Sequence, residues 1–278
     1  MILSKYLFDV LTIYRYLSER KRLLRGRLPW CQMTTSTSSE SSLALVRDAA
    51  SVPTQPHIRT FKPRRGRITA AQTNALDRLW PRWGLEIPAE GEPLDLTALF
   101  GRAAPVQLEI GSGMGDAVIA MASARPEHDF LAVDVHTPGL GSVLRLAERA
   151  GLTNVRAAAG DALDLLRSQI PGDALEAVHV YFPDPWPKAR HHKRRIVRPD
   201  VTALIADRLR TGGSLHCATD WAEYAEDMLA VLSAEPWLRN RYPASGFAPR
   251  PTHRPVTKFE ARAVREGREV FDLSFTKI

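Results

Sequence analysis

The sequence predicts an α/β protein built on a doubly wound, mostly parallel sheet. Three observations carry that expectation. From Pro105 onward, short apolar runs alternate with segments of helical spacing. Three of those runs lead into a carboxylate or a glycine turn, where such sheets bind ligands. The 278 residues, 44% hydrophobic and 25% charged, are enough for a sizeable buried core.

Taken in order, a helical pattern starts at Thr69 and runs through Ala75, Leu76 and Leu79 to Trp80, where Pro81 should stop it. Residues 88–93 read as a loop and 94–100 as a short apolar element. The run 106–110 ends at Gly111, and helix 117–124 follows. Run 130–135, helix 142–150, run 155–159, helix 162–169 and run 177–182 continue the alternation. A helix over 201–210 leads through Gly212-Gly213 to run 214–218, then helix 224–233, and residues 270–277 alternate like a half-buried strand. No internal repeat is visible.

Two cysteines, Cys31 and Cys217, cannot build a disulfide framework or a Cys-rich metal site, which favours a reducing compartment and the cytoplasm. No stretch reaches the roughly 18–20 uninterrupted apolar residues of a membrane span. The net charge of +7 is unevenly spread. Residues 1–70 hold 13 Lys/Arg and 4 Asp/Glu, whereas 71–278 hold 25 and 27. A basic arm that meets a polyanion fits this asymmetry, and a solvated tail without a partner is the plainer alternative.

Residues 1–57 read as an N-terminal extension. The apolar part of 1–30 is interrupted by Lys5, Asp9 and Arg15 and is a poor secretory segment. A basic amphipathic helix at a membrane surface is one reading of 1–30; the preferred reading of 1–32 is an upstream extension from a misassigned start, with Met33 opening a polar, disordered N-terminus. A basic arm and helix follow at 58–104, and the main domain at 105–278.

The richest local signal is Glu109-Ile-Gly111-Ser-Gly113-Met-Gly115 at the end of a run and the start of a helix. Its GxGxG spacing lets the backbone approach a ligand closely, but differs from the GxGxxG that seats a pyrophosphate. Glu109 would repel a pyrophosphate and suits a cationic ligand such as a sulfonium or its amino group. Asp134 stands 25 residues on, where a carboxylate takes ribose hydroxyls. Asp161 follows the third run, in reach of an adenine amino group. Three acids in register at successive strand ends form an S-adenosylmethionine pattern.

The fourth run ends in Phe182-Pro-Asp184-Pro-Trp186-Pro-Lys188. Three prolines fix the backbone around one carboxylate, and Trp186 offers a face on which a base could stack. From Lys188 to Arg198 there are six Lys/Arg and no acid, a phosphate-backbone footprint. His191 and His192 fit the phosphate side better than a metal, and no spacing suggests zinc. Cys217 reads as an inert core thiol.

FPDPWPKARHHKRRIV, the later Ala218-Thr-Asp220-Trp221 and Arg254-Pro-Val-Thr-Lys-Phe-Glu260 resemble the bacterial tRNA (guanine-N7)-methyltransferase family. The resemblance runs from about Ile58 to the C-terminus. It implies a Rossmann-like class I methyltransferase fold, with a seven-stranded, mostly parallel sheet and helices on both faces. It also implies S-adenosylmethionine as donor and the variable-loop guanosine at tRNA position 46 as acceptor. No metal, membrane or obligate protein partner is implied, and the chain would be a monomer or homodimer. Glu109, Gly111, Gly113, Gly115, Asp134, Asp161 and Asp184 fall where the family binds the donor, with Asp184 also at its catalytic centre. Asp134 stands where Glu is more usual. Lys188, Asp220, Thr257, Lys258, Phe259 and Glu260 fall at substrate contacts, and Arg190, Lys193, Arg194 and Arg195 in the RNA-interacting segment.

Guanine N7 carries a lone pair and no proton, so its methylation needs positioning and electrostatics rather than a general base. Two other readings stay open at this level: methylation of an exocyclic base amine, and a catalytically silent RNA-binding or scaffold protein. The GxGxG spacing and the basic cluster disfavour a nicotinamide dehydrogenase.

Overall fold

In the computed structural model, residues 58–62, 66–88, 91–252 and 254–278 are described. The expectations for 1–57 lie outside the described residues. An eight-stranded sheet of order β1-β4-β3-β2-β5-β6-β8-β7 forms the centre. Its strands are β1 (Gly84–Glu86), β2 (Val106–Ile110), β3 (Asp129–Asp134), β4 (Val155–Ala159), β5 (Leu175–Tyr181), β6 (Leu209–Thr219), β7 (Leu238–Asn240) and β8 (Phe271–Lys277). From β1 to β6 all neighbours pair in parallel, and β8 pairs antiparallel with both β6 and β7. The sheet is therefore α/β and mostly parallel, as expected, with one strand more than seven. The addition is β1, three half-buried residues that pair with β4 at the edge.

Helices cover both faces. The helices are α1 (Ala70–Trp83), α2 (Leu96–Phe100), α3 (Asp116–Ala124), α4 (Thr137–Arg149), α5 (Ala162–Asp164), α6 (Pro199–Arg208), α7 (Ala222–Ala234) and α8 (Lys258–Arg265). Alternation along each strand divides the core. Phe130, Ala132, Val155 and Ala157 pack with α1, α3 and α4, whereas Leu131, Val133, Val178 and Val180 pack with α6 and α7.

Several boundaries differ from expectation for physical reasons. Helix α1 opens on a capping box between Thr69 and Gln72 and runs through Pro81 to Trp83. Pro81 falls in the last turn, where a missing N–H costs one bond rather than the helix. Helix α4 starts at Thr137, well before 142, because Pro138 sits in its first turn and needs no partner there. The helix over 162–169 is α5 followed by a π-helical turn, Leu165–Gln169. Helix α6 ends at Arg208, and Gly212-Gly213 lies within β6 at a bulge that spans five steps of β6 against two of β5.

Candidate donor and acceptor site

The carboxyl ends of β2, β3, β4 and β5 converge on a cavity of about 190 Å³ lined by Gly111, Gly113, Asp134, Asp161 and Asp184, among others. A smaller pocket of about 30 Å³ adjoins it and is lined by Glu109, Ser112, Tyr181, Thr257, Lys258 and Phe259. The order reversal between β3, β2 and β5 opens this crevice, the usual ligand position in such sheets.

Gly111, Gly113 and Gly115 all take left-handed φ values, 76°, 56° and 93°. At Gly115, which caps α3, a Cβ would also meet Val143 at 2.8 Å, so a side chain is excluded twice. Asp134 holds the loop: its Oδ2 accepts from the Gly113 N–H at 2.8 Å and its Oδ1 from the His136 N–H at 2.8 Å. Asp161 caps α5 by accepting from the Leu163 N–H at 2.9 Å. Gly139, in the first turn of α4, was not picked out by the sequence pattern. A Cβ there would lie 2.1 Å from the Gly113 carbonyl oxygen, so α4 seats directly on the loop.

Glu109 is 4% exposed, and its Oε2 has no hydrogen-bond partner. Burial, with the nearby Asp134 charge adding, pushes its carboxyl up to about 8. The Ser112 hydroxyl beside it is also buried without a partner. The Val118 N–H supports the carboxyl, but among the described residues the negative charge has no cation beside it and is costly when buried, so this corner fits a cationic ligand group with N–H donors. The residues present therefore match the amino-acid end of S-adenosylmethionine.

Asp184 sits between Pro183 and Pro185, which cannot take positive φ. The flanking residues take it instead, Phe182 at 50° and Trp186 at 48°. Phe182 is held by its N–H to the Ala218 carbonyl at 2.7 Å and by stacking on Phe259, centroids 6.3 Å apart. The Lys62 N–H reaches Asp184 Oδ2 at 3.4 Å, and Thr60, Phe61 and Lys62 line the cavity. These arm residues were legible only as a basic segment.

Trp186 corrects the expectation of a stacking face. It is 4% exposed, its Nε1 donates to the Thr60 carbonyl at 3.2 Å, and the cations of Lys62 and Arg194 each stand 5.0 Å from its ring. Its ring anchors the arm and is covered against a base.

The basic cluster divides. Lys188, Arg190 and Lys193 are exposed on and before a 3-10 turn, Ala189–Arg194. Arg195 turns inward and is buried: it donates to the Pro185 carbonyl at 2.9 Å, to Glu223 at 2.9 Å and to Asp227, and lies over Tyr224. It is thus placed to brace the Asp184 loop rather than to meet a phosphate. The structure also brings His192, Glu223 and Asp227 together, although Arg195 already occupies both acids. Asp220 pairs with Arg268 at 3.1 Å. Thr257 caps α8, Lys258 and Phe259 line both cavities, and Glu260 is buried against Arg254 and Arg250 rather than facing the cavity. Burial pushes the Cys217 thiol up to about 12, consistent with an inert core residue. Among the described residues no helix is long and apolar enough to cross a membrane.

A family model described as a putative methyltransferase matches residues 103–273. A tRNA (guanine-N(7)-)-methyltransferase of Streptomyces avermitilis is 54% identical over 231 residues, 83% of this chain and 79% of that protein. One of Nitrosospira multiformis is 51% identical over 224 residues, covering 80% and 96%. One of Bordetella pertussis is 49% identical over 242 residues, covering 87% and 94%.

Proposed function

Since the chain belongs to the tRNA (guanine-N(7)-)-methyltransferase family, we propose that it methylates N7 of guanosine 46 in the variable loop of tRNA. The observation that carries this reading is the buried Glu109 Oε2 without a partner, in a pocket that adjoins the cavity lined by Asp184. S-adenosylmethionine, when bound, supplies an electrophilic methyl on a sulfonium.

Glu109 and Ser112 receive the cationic amino-acid end, and the glycine loop lets the backbone come close. Asp134 keeps acceptor capacity for a ribose hydroxyl, and Asp161 meets the adenine amino group. Asp184, fixed between two prolines, faces the base and stabilises the positive charge that the purine gains. No side chain has to remove a proton, because N7 carries none. Lys188, Arg190 and Lys193 track the RNA backbone, with Arg194 beside them, and Asp220 and Lys258 border the acceptor side. Arg195 acts from behind the loop. Residues 58–104 supply the arm and first helix, and 105–278 the catalytic domain. No step calls on a metal ion or an obligate protein partner, and we place the enzyme in the cytoplasm, where its substrate is found.

The test is to incubate the purified protein with unmodified tRNA and labelled donor, then map the product by nuclease digestion and mass spectrometry. The expected product is 7-methylguanosine at position 46. A methyl on an exocyclic amine, or none, overturns the reading.

A further inference from the structure

Arg254 is wholly buried, with 0% exposure, and none of the roles above falls to it. Its guanidinium forks between acids on two different elements. Nε and Nη2 donate to Asp272 of β8 at 3.0 and 2.9 Å, and Nη1 and Nη2 donate to Glu260 of α8 at 2.6 and 3.4 Å. The same group lies 5.8 Å from the ring centre of Tyr181 and 5.6 Å from that of Phe182. His216 of β6 bonds to Asp272 at 2.8 Å, and the Arg254 carbonyl accepts from Arg250 Nη2 at 2.7 Å.

Such an arrangement is a poor way to gain stability. Well-packed apolar side chains often stabilise a core as much as a buried ion cluster does. What a bidentate fork adds is direction, since two parallel N–H bonds fix the angle between the groups they join. Here those groups are the last strand and the first turn of α8. Between Arg254 and Glu260 lie Thr257, which accepts from the Glu260 N–H at 3.2 Å, and Lys258 and Phe259, which line both cavities. Phe259 stacks on Phe182, next to Asp184.

We propose that Arg254 is a positioning residue, clamping α8 to β8 and so setting the wall that Lys258 and Phe259 present to donor and base. Glu260 then acts through Arg254 and not by touching RNA. The proposal rests on the functional reading above for the identity of donor and base.

The experiment compares Arg254→Lys, which keeps the charge but loses the fork, with Glu260→Gln and the double variant, all in the full chain. Folding is checked by circular dichroism. Donor affinity is measured by calorimetry without tRNA, and the single-turnover rate with both substrates saturating. Arg254→Lys should weaken donor binding roughly tenfold and slow the saturated step by roughly 10²-fold, the scale of a misplaced reacting group. The affinity for tRNA and its salt slope should be unchanged. Glu260→Gln should act in the same direction, and the double variant should be no worse than Arg254→Lys, since both act through one clamp. A folded Arg254→Lys with full donor affinity and full rate overturns the proposal, as does strict additivity. If Arg254→Lys fails to fold, Glu260→Gln decides: a full saturated rate overturns the clamp and a slowed one supports it. If the wild type methylates another atom, the functional reading fails while a donor-affinity loss still supports the clamp.

Discussion

The indole N–H of Trp186 donates to the carbonyl of Thr60 at 3.2 Å, tying two segments 126 residues apart. One end of this bond belongs to the Pro-Asp-Pro-Trp turn and the other to the basic arm, which also gives Lys62 to the Trp186 ring and to Asp184. The arm and the Asp184 turn are thereby joined. Trp186→Phe keeps most of the ring packing but strands the Thr60 carbonyl, and should cost about 1–2 kcal/mol locally. Amide exchange at residues 58–62 should quicken, and the methylation rate should fall with it. Unchanged exchange there would separate the arm from the turn.

Arg195 and Lys193 should behave differently although they are close neighbours in the basic cluster. Lys193→Ala should lower the slope of log K against log salt for tRNA by about 0.7, the value for one single-stranded phosphate. Arg195→Ala should leave that slope alone. It should instead destabilise the fold by about 1–3 kcal/mol, because the arginine is buried while its partners Glu223 and Asp227 are half exposed. Denaturant melts and salt-dependent binding read the two effects separately, and a slope change in the Arg195 variant would return it to the RNA surface.

This contrast marks how far the sequence is legible. Strands β2 to β5 were readable because each is a largely apolar run cut off by a glycine, proline or acid, and the acids in or just after those runs line the cavities. β1 was not, since three half-buried residues at a sheet edge carry no periodicity. The start of α4 was obscured because Pro138, Gly139 and Gly141 look like breakers, whereas one suits a first turn and the others permit close contact with Gly113 and Gln72. Spacing cannot say which arginine in a row turns inward, or which face of Trp186 is covered, because those follow from contacts between distant segments. Glu260 was expected at a substrate contact and yet sits among arginines for the same reason.

Gly139 offers a test of one such distant contact. Gly139→Ala would place a methyl 2.1 Å from the Gly113 carbonyl, and backbone on both sides cannot yield cheaply. The fold should lose about 1–3 kcal/mol, the usual cost of overpacking, and donor affinity should fall because the glycine loop must move. Calorimetry on the folded fraction checks this, and normal donor affinity would mean that the loop tolerates displacement.

Asp184→Asn keeps the size of the side chain and most of its hydrogen bonding but removes the charge that the proposed function sets opposite the base. If that charge acts mainly in the transition state, the single-turnover rate should fall by ~10²–10³ with tRNA binding nearly normal. A variant with its full rate would reduce Asp184 to a loop-shaping role.

Glu109 makes both stability and donor binding depend on pH. Burial, with Asp134 adding, raises its folded value from 4.5 to about 8. Between those values the folded chain holds a proton that the unfolded chain has released. The stability contributed by neutral Glu109 is therefore fully present below the ordinary carboxylate range and is lost as pH climbs to about 8, on the order of a few kcal/mol in total. Glu109→Gln cannot ionise, so it should match the wild type in urea melts near the acid end of that window and exceed it at the alkaline end. Donor binding should run the opposite way. A cationic ligand favours the carboxylate, so the wild type should bind it better than the Gln variant above pH 8, with the advantage shrinking as pH falls and Glu109 must first give up its proton. Calorimetry in two buffers of different ionisation enthalpy should register a proton released on binding to the wild type beyond any seen with the variant. A gap between the two proteins that stays constant across the whole range would mean that Glu109 is ionised in the free enzyme and that its burial is matched by a partner.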